Sequence, residues 1–231
     1  MPTGVIINVI AVVLGGLLGS IIGERLTDRL KQQMTTIFGV CAMTMGITSV
    51  VLMKNMPAVI FAVIVGSLVG IALDLDGCIR KGTGALLNKL NLGADLQLMV
   101  TAMVLFCASG TGIYGSLTSG MTGDHSILIA KSILDFFTAM IFACRLKKAV
   151  MLIGIPQLII MLVLFFSARL ILPLTNETMI ADFKACGGIV LLATGFTIMK
   201  VKEIPVANML LSMVLVMPVS AMWMSVVAPL L

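Results

Sequence analysis

Apolar runs long enough to cross a bilayer, set apart by short links that hold most of the charges, recur along the whole of this sequence. A transmembrane helix needs about 20 consecutive apolar residues. Read against charges, prolines and glycines, the runs predict eight spans: about 4–23, 34–53, 57–73, 96–117, 126–144, 149–172, 183–199 and 205–228. Eight spans occupy about 160 residues, so a chain of 231 residues keeps only links outside them. The expected fold class is an all-α integral membrane protein, one transmembrane domain over 1–231. A spanning β-barrel requires strict alternation of apolar and polar residues, and runs such as 5–18 and 158–166 do not alternate. Composition excludes a water-soluble domain. Only 11% of the residues are charged, against roughly 25% in soluble domains, and mean hydropathy is +1.18.

The links carry a second signal. Those after odd-numbered spans hold eleven basic residues: Arg25, Arg29, Lys31, Arg80, Lys81, Lys89, Arg145, Lys147, Lys148, Lys200 and Lys202. Those after even-numbered spans hold only Lys54, with Lys184 at the very start of the seventh span. Basic links stay in the cytoplasm, so both termini are expected outside. Removing any internal span would mix the two classes, so the asymmetry supports the even count. It also accounts for the net charge of +5 without a nucleic-acid partner. The first span is not expected to be a cleaved signal peptide, because its flank Met1-Pro2-Thr3 lacks the basic residue such a segment carries.

Two spans resemble each other. Gly39, Gly46 and Thr48 in the second match Gly188, Gly195 and Thr197 in the seventh. Pro57 then follows Gly46 by nearly the interval at which Pro205 follows Gly195, and at the same offset Asn8 meets Gln157. Spans 1–3 (about 4–73) thus resemble spans 6–8 (about 149–228), with a central pair at about 96–144. A shift of five spans is odd, so the two units have opposite orientations. Inverted repeats of this kind build many secondary transporters.

Small residues recur every fourth position at Ala11, Gly15, Gly19 and Gly23, and again at Ala58, Ala62, Gly66 and Gly70. Each stripe lets another helix approach closely, within the chain or from a second copy. Ser109, Gly110, Thr111 and Gly112 open a segment with the spacing GxGxxG. No βαβ context surrounds it, which removes a dinucleotide site. Its Thr-Gly-Ile-Tyr-Gly resembles a potassium-channel filter, but a filter needs four copies on re-entrant loops. Glycines and hydroxyls here weaken the helix, and non-helical backbone at membrane depth is tolerated only where it is buried or lines a polar cavity.

Lys131 and Asp135 lie four residues apart on one helix face. Asp135 falls about 13 Å into its span at roughly 1.5 Å per residue. A charge there costs at least about 2.5–3.5 kcal/mol, so the two are expected to pair, either as a structural lock or as an ion- or substrate-binding site. The amides Asn8, Gln157 and Asn208 are lone polar groups in other spans that could line a polar path or join helices. His125 follows Asp124 in a link, where Asp124 or Ser126 would cap the fifth span. The cysteines, 41, 78, 107, 144 and 186, are scattered singly and read as packing residues. No Ser/His/Asp set, HExxH or paired carboxylates at one depth is present, so neither an enzyme, a cofactor nor a bound structural metal is expected.

The stretches 105–113, 120–124, 126–132 and 134–143, together with Leu172-Pro173-Leu174-Thr175 and Leu192-Ala193-Thr194-Gly195, resemble the YqgA family of bacterial inner-membrane proteins, domain-of-unknown-function family 554. The likeness extends over nearly the whole chain and is strongest in spans four and five. It implies a bacterial cytoplasmic membrane and little about activity. Span count, repeat and buried charges together lead to the expectation of a homodimeric secondary transporter for a small polar or charged solute, coupled to protons or sodium. Its site would comprise Ser109, Gly110, Thr111, Gly112, Lys131 and Asp135. A channel or a non-transporting scaffold are the alternatives.

Overall fold

The computed structural model describes residues 1–22, 27–90, 96–107 and 109–227. Gly23, Arg25, Ala108 and Ala228 lie outside these, as do the side chains of Lys31, Lys89 and Arg169. The described residues form ten α-helices and no strand: α1 (Thr3–Ile22), α2 (Asp28–Val50), α3 (Met56–Ala72), α4 (Leu75–Leu90), α5 (Leu96–Cys107), α6 (Gly110–Thr122), α7 (Ser126–Leu146), α8 (Gly154–Ile171), α9 (Glu177–Ile198) and α10 (Val206–Met222). Five helical stretches are long and apolar enough to cross a membrane: Thr3–Ile22, Asp28–Val50, Ser126–Ala168, Glu177–Ile198 and Val206–Val227. A sixth is added if Met56–Ala72 and Leu75–Gly82, bent by 52°, count as one.

The stretch Ser126–Ala168 reverses direction. Lys147 has a φ of +52°, and a 3-10 turn (Lys147–Ile153) separates α7 from α8. Along α1, Gly15 meets Phe136 and Gly19 meets Met140, so α7 runs parallel to α1. Gly16 meets Met151, whereas Gly154 meets Val13 and Val9, so the chain returns antiparallel through α8. The expected spans 126–144 and 149–172 are therefore two legs of one helical run.

Two sequence expectations need correction. The fourth span, expected to be continuous over 96–117, is two helices, α5 and α6. Ser109 adopts an extended backbone (φ −71°, ψ 139°), and its hydroxyl accepts the Gly112 N–H at 3.1 Å. That is a helix N-cap, and it favours a fresh start over continuation. The link between spans three and four is largely helical, as α4.

The chain forms two compact units. Unit 1 comprises Met1–Ile37 and Gly77–Arg169, and unit 2 comprises Phe38–Asp76 and Leu170–Leu231. In unit 1, Val12, Met99, Phe106, Ala139, Ala143 and Ile153 build one buried cluster; Val5, Leu128, Met161 and Phe165 build a second. A Cβ added at Gly15 or Gly19 would run into the carbonyls of Phe136 and Met140, so α1 lies backbone against backbone on α7.

In unit 2, Gly66 and Gly70 of α3 lie directly on Ser212 and Asn208 of α10, with Ala58 and Ala62 also buried. Gly15 and Gly19 of the first stripe and Ala58, Ala62, Gly66 and Gly70 of the second are thus occupied by intrachain packing, Gly23 lying outside the described residues, and a second copy would have to use other faces. Helices α2 and α9 cross at two points. A Cβ at Gly46 would lie 2.7 Å from the Gly188 carbonyl, and one at Gly188 would lie 2.6 Å from the Gly46 carbonyl. Gly39 and Gly195 meet likewise, at 2.9 and 2.8 Å.

Large apolar side chains cover the outside of the helices, among them Ile10, Leu14, Ile64, Leu68, Ile159 and Val163, while the amides of Asn8, Gln157 and Asn208 and the charges of Lys131, Asp135 and Asp182 sit inside. Water would disfavour that arrangement, and hydrocarbon favours it. It fits a membrane protein.

Candidate functional site

The polar cluster of unit 1 is built where α1, α7 and α8 meet. Helix α7 presents Lys131 and Asp135 on one face, both buried, with Nζ 2.5 Å from Oδ2. The glycine stripe lays α1 flat on α7 and so carries Asn8 to the pair; its Nδ2 donates to Asp135 Oδ2 at 2.9 Å. Helix α8, returning antiparallel, brings Gln157. Its Nε2 donates to Asn8 Oδ1 at 2.7 Å and lies 3.3 Å from Asp135 Oδ2. Three donors therefore converge on one carboxylate oxygen. Asn8 and Gln157 are fully buried, and Gln157 Oε1 has no partner.

The Gly-rich segment forms the adjoining wall. Gly110 heads α6, and Ser109 and Thr111 are buried beside it. A Cβ on Gly112 would stand 3.1 Å from both Lys131 Cε and Ser109 Oγ, so the missing side chain is what lets the lysine stem pass. The residues of the GxGxxG spacing are helical, which is neither a nucleotide loop nor an extended filter. Gly115 packs against Leu128. Cys107 of α5 lies within electrostatic reach of Lys131 and Asp135. On α6, Ser116 Oγ and Thr118 Oγ1 are buried without partners.

The energetics follow from the solvent. Neither charge is tolerable alone at membrane depth, and breaking a buried pair by removing one partner costs about 3–5 kcal/mol. Two amides and a hydroxyl around a neutral ion pair offer both donors and acceptors to a small polar guest.

Asn208 is not part of this gathering. It belongs to unit 2, where its Oδ1 accepts the Asp76 N–H at 2.8 Å and so caps the start of α4. At the start of α7, His125 occupies the N-cap position without a side-chain cap bond. Instead Asp124 Oδ1 accepts the Ser126 N–H at 2.9 Å, and Ser119 Oγ lies 2.6 Å from His125 Nδ1.

Sequence reasoning passed over Asp182. This fully buried carboxylate of α9 accepts the backbone N–H groups of Lys54 (2.8 Å) and Asn55 (2.9 Å), Asn55 Nδ2 (2.9 Å) and Ser220 Oγ (2.7 Å). It caps the start of α3 from another helix and ties α10 to it. The available signal was an acidic residue flanked by Ala181 and Phe183 at the edge of an apolar run.

Comparison with known proteins gives a consistent but functionally silent result. A family model described as "Protein of unknown function (DUF554)" matches residues 3–221. The chain is 48% identical over 230 residues to "Uncharacterized protein YqgA" of Escherichia coli K12, covering 96% of this chain and 98% of that one. It is 24% identical over 218 residues to "Uncharacterized membrane protein YdfK" of Bacillus subtilis 168, covering 92% and 93%. No solved structure matches.

Proposed function

The chain belongs to the DUF554 family, and we propose that it is a secondary transporter of a small polar or charged solute in the bacterial cytoplasmic membrane, coupled to protons or sodium. The observation that carries this reading is the Lys131–Asp135 pair held by Asn8 and Gln157 beneath the Ser109 helix break. Buried ionisable groups inside a membrane domain mark ion and substrate pathways, and broken helices beside them are a recurrent feature of transporter sites.

We also read spans 1–3 and 6–8 as an inverted repeat, and the contacts within the chain are consistent with it. Asn8 and Gln157, 149 residues apart, hydrogen-bond to each other. The same shift turns Gly39 into Gly188, Gly46 into Gly195, Met43 into Leu192 and Val50 into Met199. Applied to the α2–α9 crossing, it maps the Gly39–Gly195 contact onto Gly188–Gly46, and Met43 against Gly195 onto Leu192 against Gly46. Equivalent residues that touch crosswise are the mark of a two-fold relation between antiparallel elements. With eight spans, the continuous run Ser126–Ala168 counts as two and α5–α6 as one broken span. Both termini then face outward, and the turn at Lys147 and Lys148 faces the cytoplasm. A homodimer is proposed on faces other than the two glycine stripes.

Reconstitution into liposomes tests the function. A panel of amino acids, carboxylates and small cations is applied under an imposed proton or sodium gradient, and charge movement is recorded on a solid-supported membrane. Gradient-dependent solute flux is the expected result. The paired variant Lys131→Met/Asp135→Asn should fold and be inactive; normal coupled flux in it would end the site assignment. Flux indifferent to the gradients indicates a channel, and a complete absence of flux indicates a scaffold.

A further inference from the structure

We infer that Asp135, Asn8 and Gln157 form a site for a small monovalent alkali cation, and that the Lys131 ammonium is its tethered, competing occupant. The inference rests on reading the unit 1 cluster as a binding site and names what binds there. It begins with the unpartnered Gln157 Oε1 in a fully buried side chain. A buried acceptor without a partner lacks a donor or a cation, and its amide can turn over without breaking a bond at that oxygen. An anion would leave it unpaired and would face the Asp135 carboxylate.

Amide side chains carry an acceptor and a donor on opposite edges. As the cluster stands, Asn8 and Gln157 turn their NH2 groups toward Asp135 Oδ2. This suits a carboxylate whose counter-charge is the ammonium 2.5 Å away. Turned over, the same amides would direct Oδ1 and Oε1 at the carboxylate. Three oxygen-bearing groups are then brought together, an arrangement that repels itself unless a cation sits among them. Oxygen donors suit hard cations, and a single carboxylate neutralises a single positive charge.

Two cations on one buried carboxylate would leave a net charge, so the ammonium must move away when the alkali ion enters. Lys131 Cε already lies beside Gly112, near Ser109 Oγ and the Phe106 carbonyl at the α5–α6 break, so rotation about the last bonds of the side chain would carry the ammonium from Asp135 toward those oxygens. The two positions make the lysine an internal competitor: the free cation and the ammonium exclude each other at Asp135. Among the described residues, Asp135 on its own helix and the Cys107 thiol from α5 are titratable groups that face it. Helices α1 and α8 contribute the amides, and the α6 cap contributes a hydroxyl.

The test is thermal unfolding of the purified full chain in detergent, with NaCl or KCl compared with choline chloride at equal ionic strength. Lys131→Met removes the competitor. Lys131→Gln removes its charge but keeps a donor for Asp135. Both variants should be stabilised by sodium or potassium over choline, at least tenfold more sensitively than the native chain. Adding Asp135→Asn to either should abolish the difference. Folded Lys131 variants that respond alike to alkali and choline salts overturn the inference. So does failure of both to fold even in NaCl, because a real cation site survives loss of its tethered occupant when free cation is supplied. Alkali-specific stabilisation without solute flux would leave the cation site standing and remove the transporter. Gradient-driven flux without alkali preference would do the reverse.

Discussion

Replacing Asp182 with alanine should be among the most damaging single changes in unit 2. Its carboxylate accepts from the Lys54 and Asn55 amides, from Asn55 Nδ2 and from Ser220 Oγ, at 2.7–2.9 Å, in a fully buried position. The two amides precede α3, where the first N–H groups of a helix have no internal partner and where the helix dipole favours negative charge. The Ser220 hydroxyl and the Asn55 amide can rotate toward other acceptors; the backbone N–H groups cannot. Each buried donor left unsatisfied costs about 1–3 kcal/mol, so Asp182→Ala should cost about 4 kcal/mol. Asp182→Asn keeps an oxygen for the two backbone amides but loses the charge and the second acceptor, which Asn55 Nδ2 and the Ser220 hydroxyl must replace by rotating elsewhere, for about 1–2 kcal/mol. Unfolding in SDS can be followed with a thiol-reactive dye at the buried Cys186, one turn along α9, with the other cysteines replaced by serine. An alanine variant within about 1 kcal/mol of native, or an asparagine variant as unstable as alanine, would refute the capping argument.

Two further outcomes follow from the packing and the links. Gly15→Val places a side chain on the Phe136 carbonyl, so α1 and α7 must separate; overpacking of this kind costs about 1–3 kcal/mol, read as a lower unfolding midpoint in the same assay, and an unchanged midpoint would show that α1 does not lie flat on α7. A cysteine at position 148, in a chain otherwise free of cysteine, should resist membrane-impermeant thiol reagents added outside intact cells, and labelling there would overturn the proposed topology.

Much of the candidate site was legible because membrane depth restricts what charges can do. Lys131 and Asp135 had to face inward and pair, and the glycines and hydroxyls from Ser109 to Gly115 marked a helix under weak local control. The break itself was not legible. Hydropathy falls after Ser109 but stays positive, and it does not report whether a hydroxyl will accept the N–H three residues on and restart the helix. Asn208 carried the same sequence signal as Asn8 and Gln157, yet it holds the start of α4. Asp182 looked like the edge of a span and is a buried carboxylate that accepts four hydrogen bonds.

The division has a physical basis. Hydropathy, charge spacing and small-residue stripes are properties of each residue against its solvent, so the sequence by itself determined an all-helical chain with long apolar helices and inward-facing charges. Hydrogen-bond partnership depends on how helices are rotated and crossed. Asn8 and Asp135 lie 127 residues apart, and Asp182 lies 127 from Asn55. Only the approach of α1 to α7 through Gly15 and Gly19, and the crossing of α2 and α9 through their paired glycines, decided which acceptor each donor would meet.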